Sequence, residues 1–176
     1  MHILVGLLTL LALLAVWWWR VRAAGAAARE AVEATDDVRA ALRRFKYQRK
    51  AGEHPAESLD DPRLAAAGMM AAVARLKGDL TADQMNQLRV ECRAAFRVVQ
   101  SEADDIAAYG RWLAAQSEDP DDVIRRLAPI VRDRAEREAH GDMVRMLDRV
   151  AAVEGGAPND LQKAAIARVR KALAVK

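Results

Sequence analysis

The chain has 176 residues, 28 of them Lys or Arg and 25 of them Asp or Glu, and its formal net charge is +3. Residues 1–56 hold nine basic and five acidic side chains, a net of +4, whereas residues 57–176 hold nineteen basic and twenty acidic side chains, a net of −1. The larger part therefore lacks the basic excess of a nucleic-acid-binding domain, and the single cysteine, Cys92, excludes an internal disulfide and fits a reducing compartment.

An uncharged segment begins the chain. Seventeen consecutive residues, 3–19, carry no formal charge. Together with the first two residues, this segment is just long enough to cross the ~30 Å core of a bilayer as a helix. Tryptophans at the end of such a segment suit the headgroup boundary. We therefore predict a single-pass transmembrane anchor over 1–22, with membrane-interface residues Trp17, Trp18, Trp19, Arg20 and Arg22.

A cleaved signal peptide is the alternative interpretation of this segment. No Lys or Arg precedes the apolar core, and the small residues Ala24–Ala26 lie behind three tryptophans and two arginines. Both features favour a retained anchor. Arg20, Arg22 and Arg29 flank its C-terminal side, so the positive-inside rule places the N-terminus outside and the C-terminal domain in the cytoplasm. The expected location is the inner (cytoplasmic) membrane, with the lipid bilayer as the first partner.

Residues 23–56 are predicted to form a basic helical spacer and linker. The helix has a modest apolar stripe, which consists of Val38, Ala41, Leu42 and Phe45. Its far end is rich in arginine and lysine, so the segment is either a basic amphipathic helix on the membrane surface or a solvated spacer. The single aromatic residue of the stripe favours the spacer. The sequence at 51–55, which contains Gly52 and Pro55, ends the helix.

Residues 57–176 are predicted to form a compact bundle of about six helices. Period-two alternation is absent, and helix starts are expected at Asp61-Pro62, Thr81 with Gln84, Ser101 and Asp119-Pro120. Pro129 should kink or split the fourth helix. Apolar residues recur at helical spacing between these signals. The expected inward positions include Leu64, Gly68, Val73, Leu76, Met85, Leu88, Cys92, Phe96, Val99, Ile106, Tyr109, Leu113, Val123, Leu127, Met143, Leu147, Leu161 and Ile166.

Two connections between these helices repeat each other. Residues 75–84 join the first helix to the second, and residues 152–161 join the fifth to the sixth. Each consists of an apolar helix end, a glycine where a left-handed turn is expected, and a new N-cap. Gly78 and Gly155 are the predicted structural turns. Two equivalent hairpins predict a pseudo-symmetric bundle.

These hairpins resemble those of the TerB-like (tellurite-resistance) domain family, in which a helix, an Asp-Gly turn, a Ser or Thr cap and a second helix occur twice in one all-helical domain. The same domain forms the central region of DjlA-type co-chaperones, which also have a short N-terminal membrane anchor. The resemblance covers about residues 57–175. It implies a part in resistance to tellurite and other stresses, through complexes at the inner membrane, and some family members bind divalent metal.

The chain departs from this family at several positions. The residue before the glycine is usually Asp, but it is Lys77 in the first hairpin and Glu154 in the second. The ninth motif position is usually Glu, but it is Gln84 and Leu161. A J domain is not expected, because its His-Pro-Asp turn is missing and the single His-Pro pair is followed by alanine.

A divalent cation prefers several oxygen ligands. The metal candidates are Glu154, Asp79 and Asp83, although Asp83 and Asp160 are equally explained as first-turn residues that face a helix dipole. No cofactor is expected, and a divalent metal is the open alternative.

Enzymatic chemistry has little support in the sequence. The three histidines are not spaced as metal ligands with one another or with the cysteine. Cys92 shares a stripe with Leu88 and Phe96, which indicates a core residue rather than a nucleophile. Met69, Met70, Met143 and Met146 suit either an adaptable binding groove or the core, and core filling is the favoured interpretation. We therefore expect no catalytic residues.

Two functional hypotheses follow. The first is a membrane-anchored, non-catalytic interaction or stress-response module that recruits an unknown protein partner, such as a membrane-associated stress complex, at the cytoplasmic face. The second is a divalent-metal-binding or metalloid-handling protein that uses the two glycine-containing hairpins. Convergence of Glu154, Asp79 and Asp83 would favour the second hypothesis, and their separation would favour the first.

Overall fold

The computed structural model describes residues 38–39, 41, 55–153 and 155–175. These residues belong to one compact unit that extends from Val38 to Lys176. Within this described part of the chain, no helix is both long enough and apolar enough to cross a membrane. The predicted anchor at 1–22 and most of the predicted spacer lie outside the described residues, as do the candidates Trp17, Trp18, Trp19, Arg20, Arg22 and Glu154.

Among the described residues, a short 3-10 helix (Pro55–Ser58) is followed by six α-helices, and no β-strand occurs. The prediction of an all-helical bundle is confirmed for this part of the chain. The helices are α1 (Pro62–Arg75), α2 (Ala82–Phe96), α3 (Gln100–Ala114), α4 (Pro120–Arg134), α5 (Arg137–Ala152) and α6 (Asp160–Ala172). Two exposed ion pairs connect the 3-10 helix region to α4, one between Arg126 and Glu57 at 2.9 Å and one between Arg134 and Asp60 at 2.8 Å.

Local capping chemistry fixes most of the helix starts. Asp61 accepts a hydrogen bond from the backbone N–H of Arg63 at 2.8 Å, with proline at the first helical position. The Thr81 hydroxyl accepts from the N–H of Gln84, whose side chain accepts from the N–H of Thr81, so the predicted capping box is present. Asp119 caps α4 in the same way as Asp61 caps α1. Each cap satisfies backbone donors that a helix start leaves without partners.

The predicted cap at Ser101 is wrong. α3 begins at Gln100, and Val99 occupies the N-cap position without a side-chain hydrogen bond. The chain leaves α2 through Arg97 in the left-handed region (φ +52°), and Val98 then packs against the core. After this short connection the helix begins at Gln100, one residue before Ser101.

Pro129 lies inside α4, which continues on both sides of it from Pro120 to Arg134. Of the two expected outcomes, a kink or a split, the split does not occur. A proline at this position removes one backbone hydrogen bond from the helix. Its ring lies on the exposed side of α4, while Ala128 and Val131 face the core, so packing on the inner face keeps the helix in one piece.

The helix α1 forms the centre of the bundle. Every residue from Leu64 to Ala74 is buried, and α1 contacts each of the five other helices. Small residues let the neighbouring backbones come close: a Cβ added to Gly110 of α3 would lie 2.6 Å from the backbone carbon of Ala67. A helix that is apolar all round is expected in such a place.

Several residues of the outer helices differ from the predicted apolar pattern. Phe96 is half-buried, whereas Val99 is 66% exposed and Leu161 is 63% exposed. Val99 belongs to the turn before α3 rather than to the stripe of α2, and the inward position at the start of α6 is taken by Gln162, which is fully buried. Apolar packing also begins upstream of residue 57, because Ala41 is fully buried and Ala56 is 2% exposed.

Candidate functional site

The two predicted connections are turns at positive φ. Gly78, in the α1–α2 connection, has φ +142°, and in the α5–α6 connection Gly155 has φ +100° and Gly156 has φ +75°. Side chains with a Cβ rarely adopt these values. The glycines therefore act as structural turns in both places, and the second connection contains two of them in succession.

The second connection is one residue longer than the first, which changes the equivalence of the motif positions. Asn159 and Gln162 form a capping box with hydrogen bonds of 2.8 and 3.0 Å, as Thr81 and Gln84 do. The two capping boxes are 78 residues apart, whereas Arg75 and Ala152, the helix ends that precede them, are 77 residues apart. The residue equivalent to Gln84 is thus Gln162, and the assignment of Leu161 to this position is wrong.

The fold brings the two connections together. The Nε2 atom of Gln162 donates to the carbonyl oxygen of Val73 in α1 at 3.2 Å. The Nζ atom of Lys77 lies 3.7 Å from the position that a Cβ would take on Gly155. Gln84 and Gln162 are both buried, with 1% and 0% of their surface exposed. The buried amide of Gln162 thus anchors the α5–α6 connection to α1, and the ammonium group of Lys77 lies where the two connections meet.

The described residues at this meeting point do not fit a divalent cation. Asp79, Asp83 and Asp160 are all exposed. No group of three or more acidic, histidine or cysteine side chains in the described ranges is placed to hold an ion. Lys77 adds a positive charge at the place where a cation would have to bind. The remaining candidate, Glu154, lies outside the described residues.

Cys92 is a core residue. It is fully buried, and burial raises the pKa of its thiol to about 12, with a further contribution from the neighbouring charge of Glu91. A thiol with this pKa is almost entirely protonated at neutral pH, and the thiolate is the nucleophilic form. The geometry therefore supports the prediction that Cys92 packs rather than reacts.

An ion pair between a buried carboxylate and a half-exposed guanidinium links α2 to α5, and it was not predicted from the sequence. The Glu91 side chain is 5% exposed, and both of its oxygens accept from the Arg149 guanidinium at 2.6 Å. Gln87 donates to the same carboxylate at 2.7 Å. This hydrogen bonding to Glu91 raises the pKa of the Arg149 side chain further. The available signal was the position of Glu91, three residues after Leu88 on the inward face of α2.

An apolar groove, which we call the α2–α5 groove, lies between the start of α1, the end of α2, the end of α4 and the outer part of α5 that includes Ala139 and Met146. Its volume is about 160 Å³, and its apolar lining includes Ala95, Phe96, Val131, Ala139, Met143 and Met146. Arg63 and Asp142 lie at the same groove and supply its charges. The groove explains the partial exposure of Phe96. By contrast, Met69 and Met70 are fully buried and belong to the core.

The chain matches no protein-family model, no curated protein and no solved structure.

Proposed function

We propose that this protein is a membrane-anchored TerB-like module that binds a protein partner at the cytoplasmic face of the inner membrane, without catalysis of its own. Such a partner belongs to a stress-response complex of the tellurite-resistance type. The observation that carries the proposal is the α2–α5 groove, a recess whose lining is mainly apolar.

The size and chemistry of the groove suit a protein partner. A volume of about 160 Å³ is below the ~300–1,000 Å³ that is typical of small-molecule sites. It suits an apolar anchor residue presented by a partner helix. Met143 and Met146 give the groove flexible, polarisable walls that adapt to such an anchor, and Arg63 and Asp142 provide charges of both signs beside it.

The TerB-like assignment is supported by the two hairpins. α1–α2 and α5–α6 each turn at a glycine, restart at a capping box and bury the amide of its third residue. The hairpins meet at Lys77 and Gly155, as two halves of a pseudo-symmetric bundle would. The same lysine disfavours the metal-binding alternative, so we carry the interaction module forward. The uncharged segment at 3–19 supports the anchor.

Blocking the groove tests the proposal. Ala95 and Ala94 are adjacent exposed residues of α2, and only Ala95 lines the groove. The full chain, carrying an affinity tag, is purified from detergent-solubilised membranes as the parent, as Ala95→Trp and as Ala94→Trp. We expect a partner that co-purifies with the parent and with Ala94→Trp but is lost from Ala95→Trp.

A partner that co-purifies equally with all three chains does not use the groove, and this result contradicts the proposal. Melting curves of the three proteins by circular dichroism serve as the folding control. Ala139→Trp, on the α5 side of the groove, should reproduce the loss seen with Ala95→Trp.

A further inference from the structure

A second groove, which we call the α4–α6 groove, combines arginines with an apolar floor. Its volume is about 150 Å³. Its lining includes the side chains of Arg125, Arg132 and Arg168, together with Ile124, Ala128 and Val169. The last three are buried, with 2%, 6% and 1% of their surface exposed. The guanidinium groups come from both helices, so this combination exists only in the folded bundle.

The two helices that form this groove carry a net positive charge, although the bundle as a whole does not. α4 contains four arginines and three aspartates, and α6 contains four basic residues and one aspartate, so the two helices carry a net charge of +4. Residues 57–176 together carry −1, so the remainder of this segment carries −5. Glu57, Asp60 and Asp148 from neighbouring elements pair with three of these basic groups. The two helices still carry more basic than acidic groups, so an anion approaches them more favourably than the remainder of the segment.

The three arginines have carboxylate partners that an external anion can replace. Arg168 pairs with Asp121, Arg125 pairs with Asp122 at 3.2 Å, and Arg132 pairs with Asp133 at 2.7 Å. The arginine side chains are 52%, 63% and 51% exposed. Ion pairs with this exposure contribute little to stability, so exchanging one partner for another costs little. Guanidinium groups bind phosphate oxygens in a bidentate manner.

We propose that the α4–α6 groove binds the phosphate headgroup of an anionic phospholipid, with the glycerol carbons over the apolar floor. This inference rests on the proposed function, because a membrane anchor would tether the bundle to a bilayer. None of the residues that line the groove is aromatic, so it lacks the stacking surface that single-stranded nucleic acid uses. The apolar floor distinguishes the site from a surface that attracts anions by charge alone.

Fluorescence quenching in nanodiscs tests this inference with the full chain. The discs contain phosphatidylcholine, alone or mixed with phosphatidylglycerol, and a trace of lipid with a nitroxide headgroup. Ala172→Cys places a fluorophore in the groove, and Ala94→Cys places it on α2 as the control. The native Cys92 is buried and stays unlabelled in the folded protein. We expect quenching at residue 172 that grows with phosphatidylglycerol content, and little quenching at residue 94.

Replacing arginines distinguishes binding in the groove from general electrostatic attraction between the protein and an anionic bilayer. Arg132→Gln with Arg168→Gln should weaken the phosphatidylglycerol dependence about fivefold for each arginine removed. Arg93→Gln with Arg97→Gln removes the same charge elsewhere and should leave the dependence unchanged. Equal losses in both double variants, or equal quenching in phosphatidylcholine alone, overturn the inference.

The anchor is tested separately in the same samples. A chain that remains with the disc in size-exclusion chromatography but shows no quenching at residue 172 contradicts the groove and leaves the anchor intact. A chain that separates from the disc contradicts the anchor and this inference together. Circular dichroism melts of all variants establish that they are folded.

Discussion

The helices α1 and α2 are joined by six residues, 76–81, yet they are held in place in opposite ways. α1 is buried along almost its whole length and consists mainly of alanine, methionine and glycine. α2 buries one face and presents the other to solvent, and its inward face includes the charged residue Glu91. α1 should therefore be sensitive to any atom that is added near it, whereas α2 should be sensitive to specific groups that are removed.

The largest effect is expected where α3 approaches α1. Gly110→Ala introduces a Cβ 2.6 Å from the backbone of Ala67, so the helices must move apart at a cost of about 3 kcal/mol, the upper end of the overpacking range. Gly141→Ala is the matched control in α5, because its Cβ would have only the flexible end of Arg145 nearby, at 3.5 Å. It should stabilise the protein by about 0.5–1 kcal/mol. Urea unfolding of the full chain in detergent measures both changes. A neutral Gly110→Ala would show that α1 is not close-packed.

The next largest effect is expected at the ion pair between Glu91 of α2 and Arg149 of α5. Arg149→Met leaves the Glu91 carboxylate buried without its cation, which should cost about 3 kcal/mol. Glu91→Leu leaves an arginine that is half exposed and can be hydrated, so its cost should be clearly smaller. The same unfolding measurement compares the two variants. Equal costs would mean that the ion pair contributes through its packing rather than through the buried charge.

A smaller effect is expected at the end of α2. Complete burial would make Phe96→Ala cost about 3–5 kcal/mol, but the ring borders the α2–α5 groove and is only half-buried. We expect a loss of about 1–2 kcal/mol, in proportion to the smaller buried area. A loss at the full-burial level would indicate that the groove closes over the ring in solution.

A stabilising change is expected just beyond the same helix. Arg97 has φ +52° and ψ +40°, a left-handed conformation that glycine adopts without strain. Arg97→Gly should therefore raise stability by up to about 1 kcal/mol. Arg93→Gly, four residues earlier in regular helix, should lower stability by about 1 kcal/mol and is the matched control. A decrease in both variants would show that the Arg97 side chain contributes more than its backbone strain costs.

No effect is expected from divalent ions at the connection between α1 and α2. Lys77 occupies the place where the two hairpins meet, so calcium, magnesium, zinc or a chelator should leave the melting temperature of the protein unchanged. An ion-dependent rise that Glu154→Gln abolishes would instead favour the metal-binding hypothesis. It would also mean that the α1–α2 connection is held by a ligand rather than by its cap.

The sequence predicts those parts of the fold that depend on neighbours along the chain. The helix starts at Pro62, Ala82 and Pro120 follow from side chains that hydrogen bond two or three residues ahead. The start of α3 does not follow from them, because it depends on a left-handed residue and on the packing of Val98. Local chemistry therefore fixes a helix start wherever no tertiary contact competes with it.

The candidate sites depend on contacts between distant residues. Glu91 and Arg149 meet across 58 positions of the chain, and the helical spacing of α2 alone contains no information about that partner. The α2–α5 groove requires the start of α1, the ends of α2 and α4 and part of α5 to converge, and for Met143 and Met146 the sequence favoured core filling over a groove. The equivalence of Gln162 with Gln84 depends on the extra residue of the second connection, which the sequence alone did not reveal.

The burial of the only thiol in the chain has a practical consequence. Cys92 is fully buried on the inward face of α2, so a thiol reagent can reach it only when α2 separates from its neighbours. Its modification rate is thus set by the opening equilibrium of that part of the fold multiplied by the reactivity of a free thiol. Cys92 is therefore an intrinsic reporter of this opening, and a ligand or partner that holds α2 closed will slow the modification.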